Sequence, residues 1–285
     1  MIKIGFLGPE GTFSQQAAHC WLGMLRGEPY LVEGKTGIPQ LFHELEGELL
    51  DQIVVPVENS IEGAVNVTQD YLIRSDQVAI LGEISLQIEH QLATKGSIDF
   101  SEIKAVYSHP QALAQCHHYL QNNLKHAALF QTSSTAEAAR VVAEGPPGLA
   151  AITSRDGARK YDLTIQAERI QDFSDNKTRF WVLGKVGTKE TAVLREKSYL
   201  KKTSIVVALP YNRPGSLYEV LKEFADRHLD LTRIESRPTK KELGEYLFII
   251  DFLGHCQDPV VRDTLTKLQS KAAMLKILGS YPVIA

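Results

Sequence analysis

Gln52-Ile53-Val54-Val55-Pro56-Val57-Glu58-Asn59-Ser60-Ile61-Glu62-Gly63 opens as an apolar, β-branched run and stops abruptly at an acid, an amide and a hydroxyl. The run from Gln52 to Val57 reads as a buried strand, because a strand covered on both faces need not alternate polar with apolar residues. From Gly63 to Leu72 the pattern is helical. The same rhythm recurs on either side. Ile2 to Leu7 is a short apolar run closed by Gly8-Pro9-Glu10-Gly11, and Thr12 to Leu25 is helical, with Thr12 or Ser14 as cap. Val78 to Thr94 is extended. Ile103 to Tyr107 precedes a helix over His109 to Gln121, and Ala127 to Gln131 precedes one from Ser134 to about Glu144. Leu149 to Thr153 and Thr178 to Lys185 are further strands. Alternation of this kind predicts α/β layers with largely parallel sheets, whose ligands sit where strand ends meet helix starts.

Residues 187–202 break the pattern. They are charged, without a sustained apolar period, and read as a linker. Beyond them Thr203–Leu209, Leu231–Ser236, Tyr246–Leu253 and Leu275–Ile284 read as strands, and Gly215–Leu229 and Pro259–Ala273 as helices. The order β-α-β-β-α-β is the ferredoxin-like plan, an antiparallel sheet with both helices on one face. A net charge of −3 gives no basic footprint for nucleic acid. Cys20, Cys116 and Cys256 are too few and too scattered for a disulfide framework. No signal-peptide layout opens the chain, and no apolar stretch approaches the ~18–20 residues of a membrane span, so a soluble, cytoplasmic protein is expected.

The polar residues gather at strand ends. Gly8 to Ser14 joins a strand to a helix start, where free N–H groups favour an anion, although a plain capped turn explains it equally well. Glu58 beside a buried strand must be solvated, paired or used, with capping by Asn59 or Ser60 as the plainer alternative. Ser108 repeats the geometry before a proline-started helix that carries Gln115, and Ser108 serves equally as an N-cap. Cys116, His117 and His118 are adjacent on a helix, point about 100° apart and cannot converge on one ion, so no metal is expected. In Asp172 to Phe180, strand alternation places Thr178 and Phe180 on one face and Arg179 on the other.

Taken in order, GPEGTFS, PVENSIEG, SHPQALAQC, ITS at Ile152–Ser154 and NKTRF resemble the prephenate dehydratases along essentially the whole chain. The C-terminal unit resembles an ACT domain of the phenylalanine-sensing kind, through Asn212-Arg213-Pro214-Gly215-Ser216-Leu217 and Glu235-Ser236-Arg237-Pro238, with Ser216 where the family has alanine. The resemblance implies a bilobed, periplasmic-binding-protein-like catalytic region over 1–186. Lobe one is expected at about 1–75 and 165–185, and lobe two at about 76–164. A linker over 187–202 and an ACT domain over 203–285 follow. It implies conversion of prephenate to phenylpyruvate, water and CO2 without a cofactor or metal, in phenylalanine biosynthesis. Thr178 would donate to the leaving hydroxyl, with Glu58 and Asn59 as further catalytic residues. Thr12, Ser60, Ser108, Gln115, Asn176, Arg179 and Phe180 would hold substrate. L-phenylalanine would bind at Leu209, Asn212, Pro214, Gly215, Ser216, Leu217 and Glu235 to Pro238, in a homodimer or homotetramer built through ACT and catalytic domains. Arogenate is the alternative substrate. A non-catalytic bilobed sensor is the alternative class.

Overall fold

The computed structural model of the chain describes residues 1–25, 29–188, 199–210, 213–238 and 246–284. They form two compact units. One comprises Met1–Thr68 and Ser85–Phe180, and the other Gln69–Ile84 and the chain from Trp181 onward.

In the first unit, β1 (Ile2–Leu7) lies between β2 (Tyr30–Lys35) and β3 (Gln52–Asn59), parallel to both. Ile4, Phe6, Ile53, Val54 and Val55 are wholly buried, so the apolar run of β3 is the centre of a layer as its composition requires. Helix α1 (Phe13–Leu22) packs on β1 and β3, and α2 (Ile38–Glu46) covers the same strands. Past β3 the chain folds back as β4 (Gly63–Ala64), pairing Glu58 with Ala64 and Asn59 with Gly63, before α3 (Asn66–Arg74) begins. The helix therefore starts later than the periodicity suggests, because Gly63, at φ +84°, makes the hairpin turn first. β2 and α2 escape the sequence reading altogether. The strand is mostly solvent-facing, and its Glu33-Gly34-Lys35 end has no apolar alternation.

A second sheet fills the other lobe of this unit. The chain passes through β5 (Val78–Gln87) into β6 (Gln91–Thr94), and the sheet runs β10 (Thr164–Ala167), β6, β9 (Leu149–Thr153), β7 (Ala105–Ser108), β8 (Ala128–Gln131). β7 is parallel to β8 and β9, but β6 is antiparallel to β9 and β10, so this sheet is mixed rather than largely parallel. The exceptions are the strands by which the chain enters and leaves the lobe. The helix expected over His109–Gln121 is broken into α4 (Pro110–Gln115) and α5 (His117–Asn123). The cause is tertiary. The Asp172 amide donates to the Gln115 carbonyl at 2.7 Å, and the Asp172 carboxylate caps the His118 amide at 3.2 Å. Helices α6 (Thr135–Glu144) and α7 (Arg155–Lys160) carry Ser134 and Ser154 as N-caps.

In the second unit β12 (Lys201–Ala208), α8 (Ser216–Ala225), β13 (Leu231–Pro238), β14 (Tyr246–Leu253), α9 (Pro259–Lys271) and β15 (Met274–Ile284) realise the β-α-β-β-α-β plan. Strand order is β13-β14-β12-β15, all antiparallel. Phe224, Leu265 and Leu268 of the helices pack on Ile205, Val207, Ile250 and Phe252 of the sheet. The segment 69–84, which the sequence reading places with the first domain, groups here instead. β15 pairs in parallel with β5, the nearly buried Glu83 meets Lys202 at 2.7 Å, and Lys276 Nζ donates to the carbonyls of Ile73 (3.0 Å) and Ser75 (2.6 Å) where α3 ends.

Candidate active site

The end of β3 brings Asn59 to within hydrogen-bond reach of Asn176 and the first residues of β11 (Lys177–Lys185), 117 to 119 positions away in sequence. Asn59 Oδ1 accepts from the amides of Ile61 (3.0 Å) and Glu62 (3.2 Å) in the tight turn that follows. Those two backbone donors fix which end of the amide is oxygen. Nδ2 must then point the other way, and it donates to Asn176 Oδ1 at 2.8 Å and Thr178 Oγ1 at 2.9 Å. Because Thr178 Oγ1 accepts here, its own hydrogen is left to donate elsewhere. The chain continues from Asn176 Nδ2 to Gln115 Oε1 at 3.0 Å, and Gln115 Oε1 also lies 3.0 Å from His90 Nε2. Asn59, Asn176, Gln115 and His90 are all at least nine-tenths buried.

This network forms one wall of a cavity of about 360 Å³ within the first unit. Asn59, Gln115, Thr178, Phe180 and His90 line it, facing Thr12 to Ser14 at the start of α1 and Ser133 to Thr135 at the start of α6. Thr178 and Phe180 share the cavity face of β11, as strand alternation requires. Two ten-residue helices thus open onto one space with their positive dipole ends. Among the described residues the lining contains no lysine or arginine, so amide and hydroxyl donors, helix dipoles and histidines make up its polar character.

Other residues singled out from sequence take different places. Glu58 Oε2 pairs with Arg179 Nη1 at 2.7 Å, and neither is part of the cavity lining. Ser108 is wholly buried and its hydroxyl donates to the Ile152 carbonyl at 2.6 Å, tying β7 to β9 behind the cavity. The cap of α4 is His109, through the Gln111 amide. Ser60 Oγ accepts from the Lys177 amide at 2.9 Å, which fastens β11 to the turn after β3. Thr12 lines the cavity, but its hydroxyl donates to Leu7 O and caps Gln15 N, and the Gly11 amide is taken by Gln15 Oε1. Burial pushes the Cys116 thiol up, with Asp172 adding to the shift.

The sequence reading missed His90, Ser133 and Thr135. A polar triplet Ser133-Ser134-Thr135 between a strand and a helix was the available signal for two of them. His90 lies in the connector between β5 and β6, in an Ile-Glu-His run without a local motif, and only the fold delivers it.

In the C-terminal unit, β13 alternates, so that Glu235 and Arg237 are partly covered while Ser236 and Pro238 face solvent. Arg237 pairs with Asp70 of α3, Gln69 Nε2 donates to Glu235 Oε2 at 3.2 Å, and Arg233 pairs with Glu235. Gly215, at φ +90°, opens α8, whose first residue Ser216 is nearly buried. Leu217 is half-covered, as is Leu209 at the end of β12. Pro214 is exposed beside them, and Asn212 lies outside the described residues, as does most of the 187–202 linker.

Comparison with known proteins adds an independent line. The prephenate dehydratase family profile matches residues 4–188 and the ACT domain profile residues 203–269. A prephenate dehydratase of Methanocaldococcus jannaschii is 42% identical over 277 residues, covering 96% of each chain. That of Bacillus subtilis is 34% identical, covering 98% of each chain. The crystal structure of the Arthrobacter aurescens prephenate dehydratase in complex with L-Phe superposes with a TM-score of 0.85 at 33% identity, covering 99% of this chain and 90% of that one. A cavity built at the strand ends of an α/β region, a ferredoxin-like unit after it and likeness along the whole length agree: the chain belongs to the prephenate dehydratase family and carries an ACT domain at its C-terminal end.

Proposed function

We propose that the chain converts prephenate to phenylpyruvate, with loss of CO2 and water, and that L-phenylalanine regulates it through the ACT domain. The observation that carries the reading is the direction of one hydrogen bond. Thr178 Oγ1 accepts from Asn59, so its hydrogen is free to meet an oxygen in the cavity. Prephenate has two carboxylates and a ring hydroxyl. As the ring carboxylate departs as CO2, its bonding pair enters the ring, the ring becomes aromatic and the hydroxyl leaves. One solvent proton is consumed in making water. Aromatisation drives the step, so the protein's task is orientation and a donor at the departing oxygen. An alkyl hydroxyl is a weak acid, and Thr178 acts as hydrogen-bond donor or proton relay rather than as a free-standing acid.

Asn59 sets the donor's direction and Asn176 and Gln115 hold Asn59. The starts of α1 and α6 receive carboxylate charge, and Phe180 packs on the ring. Glu58 with Arg179, together with Ser60 and Ser108, support the walls. Phenylalanine is received around Leu209, Asn212 to Leu217 and Glu235 to Pro238, in a cytoplasmic homodimer or homotetramer. For the domain limits we keep 1–186 as the catalytic region, 187–202 as linker and 203–285 as the ACT domain. The test is direct. Purified protein incubated with prephenate should yield phenylpyruvate, and added phenylalanine should suppress it. Turnover of arogenate in place of prephenate, or of neither, refutes the assignment.

A further inference from the structure

The polar chain behind Thr178 ends at His90, and that end fixes a proton. The anchor at its other end is the pair of backbone amides on Asn59 Oδ1, which cannot reverse. Asn59 Nδ2 must donate to Asn176 Oδ1, so Asn176 Nδ2 must donate to Gln115 Oε1. A Gln115 oxygen facing His90 Nε2 at 3.0 Å requires that nitrogen to carry hydrogen. The ring is held from outside the chain as well. Its backbone N–H donates to Gln171 Oε1 at 3.0 Å, its carbonyl accepts from Ile170 N at 2.9 Å, and the ring stands edge-on to Phe13 at 5.9 Å between centroids. Among the described residues the buried His90 Nδ1 has no hydrogen-bond partner, as a bare lone pair in a neutral ring would be.

We propose that His90 is a positioning residue for Thr178: its Nε2–H closes the Gln115–Asn176–Asn59 chain and holds it in the one polarity that leaves the Thr178 hydrogen directed at the departing oxygen. This rests on the reaction proposed above. Were the imidazole to present a bare Nε2, Gln115 would turn its amide nitrogen toward it. Asn176 would then face a donor on each side, Asn59 Nδ2 and Gln115 Nε2, with a single oxygen to offer. The direction of the Thr178 hydroxyl is therefore maintained from both ends. His90 touches no reacting atom and acts only through Thr178.

Prephenate turnover is measured for the unmutated chain, His90→Leu, His90→Gln, Thr178→Ala and the double variant His90→Leu/Thr178→Ala. Loss of one buried donor should lower kcat of His90→Leu roughly ten- to thirtyfold with KM within about twofold. His90→Gln places an amide N–H near the position of Nε2 and should stay within about threefold of the unmutated kcat. In the Thr178→Ala background His90→Leu should cost nothing further, because a residue acting through Thr178 has nothing left to position. Multiplicative losses in the double variant, or a folded His90→Gln as impaired as His90→Leu, overturn the proposal. Should His90→Leu not fold, ¹⁵N-histidine spectra of the unmutated protein decide, since a charged ring or one protonated at Nδ1 contradicts it. Absence of prephenate turnover by the unmutated chain overturns the reaction instead, and that result is distinct from turnover with multiplicative losses.

Discussion

Replacing Asn59 by Asp changes one NH2 to an oxygen and tests the directional argument with almost no change of shape. The Ile61 and Glu62 amides keep an acceptor, now charged, so the turn after β3 is retained. The second carboxylate oxygen lies where Nδ2 was, 2.9 Å from Thr178 Oγ1 and 2.8 Å from Asn176 Oδ1, so the Asn176 amide must turn its nitrogen toward it. The Thr178 hydroxyl then rotates to donate to that carboxylate. To serve the substrate it must first give up a charge-assisted bond worth roughly 1.5–3 kcal/mol. At 1.36 kcal/mol per decade this is a fall in kcat of about 10- to 150-fold. The ceiling is complete loss of a positioned donor, about 10²–10⁴-fold, which is what Thr178→Ala should show. Asn59→Asp is thus expected to fall short of Thr178→Ala, and the two together should match Thr178→Ala alone. KM should rise as well, because the new carboxylate adds negative charge beside a dianionic substrate. The assay is steady-state phenylpyruvate formation, with thermal unfolding as the control for folding. If folded Asn59→Asp keeps kcat within about threefold while Thr178→Ala loses a hundredfold, Asn59 does not set the donor and the reasoning fails.

Burial holds His90 below the ordinary imidazole value of 6.5, against a smaller opposing effect of its bond to Gln115. The unfolded chain therefore binds the proton first as pH falls, so His90 costs the fold nothing above pH 6.5 and destabilises it progressively below. Urea unfolding of His90→Gln should show a shallower acid limb than the unmutated protein, and parallel limbs would refute this. Lys276→Met removes a cation that holds several carbonyls at the end of α3 and should lower unfolding free energy by about 1–3 kcal/mol in denaturant titration. Gly157→Ala would place a Cβ 2.4 Å from Thr153 Oγ1 and 3.2 Å from Gly11 O, so a lower Tm and a raised KM are expected from displacement of the turn that leads to Thr12. A phenylalanine titration of Arg237→Ala should show weakened inhibition with basal turnover retained. Unchanged inhibition would place the sensor elsewhere.

Much of the fold was legible because local preference and global fold agree. The apolar run of β3, the N-caps of α1 and α6 and the order of the C-terminal elements all read correctly from residue type. The failures have separate causes. The break at Cys116 comes from Asp172, 56 positions later, whose amide competes for the Gln115 carbonyl, and no local pattern carries that bond. Edge strand β2 lacks alternation because little is packed against its outer residues.

What the sequence alone determined is which residue types stand at the strand ends: an amide at 59, another at 176, a hydroxyl at 178 and a glutamine at 115. Only the tertiary structure decided their company. It set Glu58 against Arg179, turned Ser108 to a strand carbonyl and brought His90 to the end of the amide chain. The physical reason is that a side-chain amide has no preferred direction in an isolated chain. Its polarity is imposed by partners that must be buried together, and here two backbone N–H groups impose it on the rest.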